Sequence, residues 1–499
     1  MFADWHPACS IRVLVRDGEV LLNYMGGAWI PAASARSVEV ENPATGDVLC
    51  RVPLSGQEDV DRAVTVAAQA WATWRRVPPV LRARALFRFK NLLERNFEEL
   101  ARTITLEHGK TLDEARASVR RGIENVEHAC AVPTLMMGET LEDVAAGIDC
   151  ETFRQPIGVF AAITPFNFPA MVPLWFWPYA VATGNTFIVK PSELVPLSQQ
   201  LLFEMAHEAG FPAGVVNLVH GDAEAAQALI EHPGVAGVSF VGSSPVAREV
   251  YRAAAAQGKR VQAFGGARNH VVVMPDADLG RTVETAVESC FGCAGQRCLA
   301  GSVIVAVGDV YDDLAGRLVD AARRISVGSG LEPGVTMGPL ASGRHLDRVC
   351  SLIQQGVDDG AELLLDGRGA AVKGLPRGHW LGPTILADDG SSIALAREEV
   401  FGPVMVLRRA DDLDDACAMV RESPYANATS VFTQNGRIAR EFRHEVGVSM
   451  IGVNVGVAAP MAFFPFGGAK GSFYGDLKAH GKDAIRFFTD ARVVMSRWF

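Results

Sequence analysis

The chain has 499 residues, 49% of them hydrophobic and 21% charged, a composition that fits a soluble globular protein too long for one ordinary core, so two or three domains are expected. A net charge of -10 argues against nucleic acid and anionic membrane as partners, and no run of about 18 apolar residues is present to span a bilayer. Nine cysteines at irregular spacing make no disulfide framework and suit a reducing, cytoplasmic setting.

Residues 1–22 are expected to form a peripheral N-terminal extension. Ile11, Val13 and Val15 alternate ahead of Asp17-Gly18, a hairpin pattern, while Asp4, Asp17 and Glu19 do not fit an acid-poor transit peptide. Ser55-Gly-Gln-Glu58 has the spacing of a capping box, and the helix it would open carries Val60, Val64, Ala67, Trp71 and Trp74 along one face. Leu86, Phe89, Leu93, Phe97 and Leu100 make a second such stripe, whose aromatics are read as core. The helical pattern continues through residues 120–127, where periodicity alone puts Arg120 and Arg121 on a solvated face.

From Gly158 the pattern changes to short apolar runs between helical stretches, at residues 159–163, 186–189, 215–219, 238–241 and 270–274. Strands alternating with helices imply a parallel sheet of Rossmann type. The usual GxGxxG is absent. In its place Gly242-Ser243-Ser-Pro-Val-Ala247 follows a strand and opens a helix with Pro245 in the first turn, which is also what an ordinary strand-to-helix turn looks like. Lys190-Pro-Ser192-Glu193 stands at another strand end one unit earlier, where an open sheet places its ligand crevice.

The stretch Cys290-Phe-Gly-Cys293-Ala-Gly295-Gln296-Arg297-Cys298 frames a cysteine with glycine and small residues. Such a setting lets backbone approach a substrate closely and offers an N–H to an oxyanion beside an attacking thiol. Most cysteines are simply small buried hydrophobes, and Cys290 with Cys293 also forms a CxxC, although zinc would need a second ligand pair and no other CxxC or HxxxH exists.

Gly295-Gln-Arg-Cys298 is similar to the active-site signature of the aldehyde dehydrogenase superfamily. Pro165-Phe166-Asn167-Phe168-Pro169, Lys190-Pro-Ser-Glu193, Phe240-Val-Gly-Ser243, Gly265-Gly266 and Glu399-Val-Phe401-Gly-Pro403 follow in that family's order. The similarity runs from about Asn23 to the C-terminus. Four strings, NFPAMVPLWFWPYA, ARNHVVVMPDAD, APMAFFPF and KGSFYGDLKAHGKD, resemble the CoA-acylating branch that acts on methylmalonate and malonate semialdehydes.

The resemblance implies an α/β aldehyde dehydrogenase fold. It would place a Rossmann-type NAD-binding domain over 23–140 and 157–275, an α/β catalytic domain over 276–478, and a small β oligomerisation element over 141–156 and 479–499, assembled as a homotetramer built from two dimers. In that family the positions of Lys190 and Glu193 contact the adenosine ribose, Glu399 holds the nicotinamide ribose and Phe401 packs near the nicotinamide. Thr164, Pro165, Phe166, Ser192, Gly242 and Ser243 complete the expected cofactor site. A carboxylate at Glu193 would repel a 2′-phosphate, which favours NAD over NADP. Cys298 would be the nucleophile, and Asn167 with the Cys298 N–H would hold the oxyanion. Arg121 and Arg297 would bind the carboxylate of a semialdehyde, a role that displaces the solvated-face reading of Arg121.

Hydrolytic members of the superfamily carry a glutamate two residues before the paired glycines. Here Gln262-Ala263-Phe264-Gly265-Gly266 puts Ala263 at that place, and alanine cannot be a general base. A thiol ionises near pH 8.5 and water near 15.7, a gap worth roughly 10 kcal/mol, so an acyl group should pass to the thiol of CoA rather than to water. The rival readings are a hydrolytic semialdehyde dehydrogenase whose base comes from elsewhere, such as Glu399, and a binding protein that kept the fold without turnover.

Overall fold

A computed structural model describes residues 19–388 and 394–499; the hairpin expected across residues 11–18 lies outside them. Two mainly parallel sheets with antiparallel edges carry the architecture. The first has eight strands in the order Phe473–Tyr474, Arg260–Phe264, Val235–Val241, Val159–Ile163, Thr186–Lys190, Val216–Leu218, Asn23–Met25 and Ala28–Ile30. Its five inner strands are parallel, and every residue of Val159–Ile163 and Thr186–Lys190 is buried, as continuous apolar runs covered on both faces require.

Helices cover both sides of this sheet. Gln57–Trp74, Ala223–Glu231 and Ser244–Ala256 pack on one face. Pro79–Arg95, Phe97–His108, Leu112–Cys130, Trp177–Thr183 and Leu197–Glu208 pack on the other. The stripe from Leu86 to Leu100 is therefore two helices, because Asn96 (φ -104°, ψ 21°) interrupts it. The expected capping box at Ser55 does not form: the Ser55 hydroxyl accepts from Asn23 Nδ2 at 2.9 Å, and Gly56 starts the helix without a side-chain cap. A reciprocal capping box is found instead at Thr111 and Glu114, opening the helix Leu112–Cys130.

The second sheet has seven strands in the order Glu362–Leu365, Thr384–Asp388, Val404–Ala410, Gly301–Val307, Asn269–Val273, Ala428–Phe432 and Met450–Val453. The run read at 270–274 as part of the nucleotide-binding sheet thus sits in the middle of this one, and the chain changes sheets between Phe264 and Asn269 rather than at 275. Asn269 makes the tie. Its Nδ2 donates to the carbonyls of Cys298 and Ala300, both at 2.9 Å, and its Oδ1 accepts from the Ala428 N–H at 3.0 Å.

A third sheet pairs Thr140–Ala145, Ile148–Pro156 and Thr489–Arg497, with Gly147 (φ +69°) in the turn of the hairpin. The terminal strand begins only at Thr489, because Gly481–Phe488 is a helix that buries Ile485, Phe487 and Phe488. Leu141, Val493 and Met495 stand exposed on this ribbon, each by about two thirds (65%, 65% and 67%).

Candidate active site

The nucleophile loop is shaped by backbone that few residues adopt. Cys293 and Ala294 (both φ +52°) and Gly295 (φ +69°) run left-handed in succession, and a Cβ at Gly295 would lie 1.9 Å from the Gly402 carbonyl oxygen. Only glycine fits there. The turn brings Cys298 under the C-terminal ends of the first sheet's strands, between two cavities. One, of about 290 Å³, is lined by Pro165, Phe166, Asn167, Gly242, Ser243, Glu399 and Phe401 among others. The other, of about 420 Å³, is lined by Arg121, Glu114, Arg297 and His480 among others. Cys298, Phe168 and Trp175 border both, so the sulfur is reachable from either side.

Asn167 is buried beside Cys298; its Nδ2 donates to the Gln296 carbonyl at 3.0 Å, and its own carbonyl accepts from Lys110 Nζ at 2.5 Å. Burial pushes the Cys298 thiol up to about 12, with the Glu399 carboxylate adding to the effect. Glu399 itself is raised by burial to about 7, although the Ala267 N–H donates to its Oε1 at 2.9 Å. A Cβ at Gly266 would fall 2.1 Å from Glu399 Oε2, so that glycine is what admits the carboxylate. Phe401 takes φ +58° and stands edge-on to Phe166 with ring centroids 5.9 Å apart.

Lys190 and Glu193 lie one strand over, at the end of Thr186–Lys190, and do not line the smaller cavity. Glu193 Oε2 is 3.7 Å from Lys190 Nζ, and burial lowers the lysine pKa. The Lys190 carbonyl accepts from the Thr164 N–H at 3.0 Å, while the Ser192 hydroxyl accepts from the Leu194 N–H at 3.3 Å. The hydroxyl of Thr164 is buried with no hydrogen-bond partner among the described residues. These groups and Gly242-Ser243, which precedes the helix Ser244–Ala256, form one edge of the crevice above the sheet.

The two arginines differ. Arg121 Nη1 donates to Glu124 at 2.8 Å and Nη2 to the Pro460 carbonyl, placing the side chain, 29% exposed, on the wall of the larger cavity. It is not on a solvated face. Arg297 is partly buried, its side chain 16% exposed, and is held 3.3 Å from Glu114. That glutamate also accepts from the Cys293 N–H at 2.5 Å and caps the helix that carries Arg121.

Several site residues carried no separate signal in the sequence. Glu114 and Lys110 reach the nucleophile loop and Asn167 through contacts 57 or more residues apart, although Thr111-x-x-Glu114 is a legible capping box. His345 Nε2 lies 2.7 Å from the Phe401 carbonyl, and Arg348 donates to the carbonyls of Glu399 and Val400, both at 3.0 Å, so one helix, Gly343–Asp358, fixes the Glu399–Phe401 turn. Ala263, read as the position without a base, lies in the strand Arg260–Phe264. It belongs to the same buried apolar cluster as Val238 and Ala247, whereas Phe264 belongs to the cluster of Trp175, its ring centroid 6.3 Å from that of Phe466. The strand still presents no carboxylate to the site. Cys290 is buried, its thiol pushed up to about 12, and among the described residues no group of three His, Cys, Asp or Glu is placed to hold a metal.

The model of the aldehyde dehydrogenase family matches residues 29–494. A malonate-semialdehyde dehydrogenase from Geobacillus thermodenitrificans is 49% identical over 96% of this chain and 99% of its own length. A solved methylmalonate-semialdehyde dehydrogenase from Oceanimonas doudoroffii superposes with a TM-score of 0.95 at 42% identity, covering 96% of this chain and 98% of that one. A Sinorhizobium meliloti protein assigned the same activity and complexed with NAD gives 0.95 at 40% identity, with the same coverage.

Proposed function

The chain belongs to the aldehyde dehydrogenase family, and from that premise we propose that it oxidises malonate semialdehyde or methylmalonate semialdehyde with NAD, releases CO2 and passes the acyl group to CoA, giving acetyl-CoA or propionyl-CoA. The observation that carries the reading is the position of Cys298 at the junction of two cavities, one offering an arginine and the other bounded by strand ends and a helix start. The crevice suits a dinucleotide. The unpartnered Thr164 hydroxyl, the Lys190–Glu193 pair and the Gly242-Ser243 turn offer a donor, two ribose-binding groups and a helix N-terminus for phosphate.

Cys298, once ionised, attacks the aldehyde carbon. Asn167 Nδ2 has a second hydrogen beyond the one given to Gln296, and together with the Cys298 N–H it holds the resulting oxyanion. NAD, when bound, supplies the hydride acceptor, after which Cys298 carries a thioester. Arg121 holds the substrate carboxylate until it leaves as CO2, with the same oxyanion donors stabilising the enolate, which takes a proton from solvent to give the acetyl or propionyl thioester. Arg297, which also lines the larger cavity and is held by Glu114, adds a second positive charge for the same carboxylate. With Ala263 where hydrolytic members of the family carry a base, the thiol of CoA takes the acyl group, entering by the crevice the cofactor vacates. Ping-pong kinetics with NADH leaving first are expected, and intersecting initial-velocity lines contradict this order. The exposed ribbon of the third sheet supports self-association, proposed as a homotetramer, and nine cysteines without a disulfide framework suit a cytoplasmic setting.

Glu399, raised to about 7 and close enough to disfavour the Cys298 thiolate, favours one alternative, in which it deprotonates water and the thioester is hydrolysed. NADH formation from each semialdehyde with and without CoA, with mass spectrometry of the product, separates the two. A small burst that becomes steady turnover only with CoA supports acylation. Steady turnover to a free acid without CoA supports hydrolysis by Glu399.

A further inference from the structure

We propose that His480 is a second recognition residue of the larger cavity, donating a ring N–H to the same substrate carboxylate that Arg121 engages. The inference rests on the semialdehyde reading above. His480 lines that cavity with Arg121 and is only 3% exposed, yet neither of its ring nitrogens has a hydrogen-bond partner among the described residues. A neutral imidazole carries one N–H donor and one acceptor nitrogen, and leaving both unpaired in a buried place is costly unless a ligand uses them. The ring is held by aromatic walls, edge-on to Trp175 at 5.0 Å and tilted on Phe466 at 5.5 Å, and both of those residues line the cavity too.

The backbone tells the same story. His480 takes φ 69° and ψ 171°, a region that in practice belongs to glycine. It is pinned there by the bonds around it: the Gly481 N–H donates to the Ala462 carbonyl, and the Ala479 N–H and the Phe466 carbonyl pair across a short bridge. Packing alone would be served by a phenylalanine without orphaned nitrogens, and the turn by a glycine without strain.

The charges facing the ring select the ligand. Arg121 and His128 reach it from the helix Leu112–Cys130, Glu124 there is already paired with Arg121, and Lys482 and Asp483 follow on its own helix. Burial and the Arg121 charge keep the imidazole neutral. A site with a guanidinium and a neutral N–H donor suits a carboxylate. An uncharged aldehyde chain offers neither group a partner.

The test compares KM and kcat for malonate semialdehyde and for propanal in the wild type and in two variants. His480→Gly removes the donor while relaxing the backbone, so the fold is kept, and His480→Asn restores an N–H donor in a residue that tolerates positive φ. For His480→Gly, KM for malonate semialdehyde is expected to rise about tenfold or more while KM for propanal stays within about twofold, as loss of a hydrogen bond to a charged group predicts, and His480→Asn is expected to recover most of the difference. Equal changes for both aldehydes, no change for the semialdehyde, or no recovery in His480→Asn overturns the role of His480. A wild type that treats the two aldehydes alike instead defeats the semialdehyde reading itself.

Discussion

Asn167 and Glu399 make opposite demands on Cys298. Asn167 offers a hydrogen to the oxygen that becomes negative, and Asn167→Ala is expected to lower kcat by about 10²–10³ with the thiol still reactive toward iodoacetamide. Glu399 instead places a carboxylate near a sulfur already disfavoured as an anion by burial. Above about pH 7, where Glu399 is charged, it opposes thiolate formation, and Glu399→Gln removes that opposition. The midpoint of Cys298 alkylation against pH should therefore move to lower pH in the variant; an unmoved midpoint would mean that burial alone sets the thiol. The same carboxylate affects stability with a definite sign. Its folded pKa is above the unfolded value of about 4.3, so its contribution is complete below that pH and is lost as pH rises through about 7.

At the scale of elements, the helix Leu112–Cys130 and the nucleophile loop act as one unit because Glu114 belongs to both. Its carboxylate caps the helix, receives the Cys293 N–H and pairs with Arg297. Glu114→Ala leaves a buried N–H and a partly buried guanidinium short of partners, and a stability loss of about 2–4 kcal/mol is expected in denaturant unfolding. A rise in KM for the carboxylated substrate should accompany it, since Arg121 rides on the helix so loosened. The sequence made this helix legible but not its start, because Ser55 and Thr111 head the same four-residue pattern and only contacts distant in sequence decide which one caps. Ser55 is claimed by Asn23, 32 residues away, and Thr111 is free to bond its own helix. Periodicity likewise misplaced Arg121, since a helix face that looks polar can face a cavity instead of solvent.

For the molecule as a whole, the ribbon formed by Ile148–Pro156 and Thr489–Arg497 leaves Leu141, Val493 and Met495 uncovered, more apolar surface than an isolated edge usually shows. Val493→Asp combined with Met495→Asp is expected to reduce the mass found by light scattering while leaving far-UV circular dichroism intact, and an unchanged mass would remove this ribbon from the assembly. The sequence by itself determined the strands, since runs such as Val159–Ile163 are continuous and apolar wherever both faces are buried. It also determined the chemistry of the motif, because Cys298, Asn167 and Glu399 must be those residue types to act as they do. It did not determine which sheet Asn269–Val273 joins, which apolar cluster Ala263 joins, or that His480 would end strained beside Arg121. Those depend on partners far away in the chain, and a pattern read along the backbone records period and residue type but not what stands opposite.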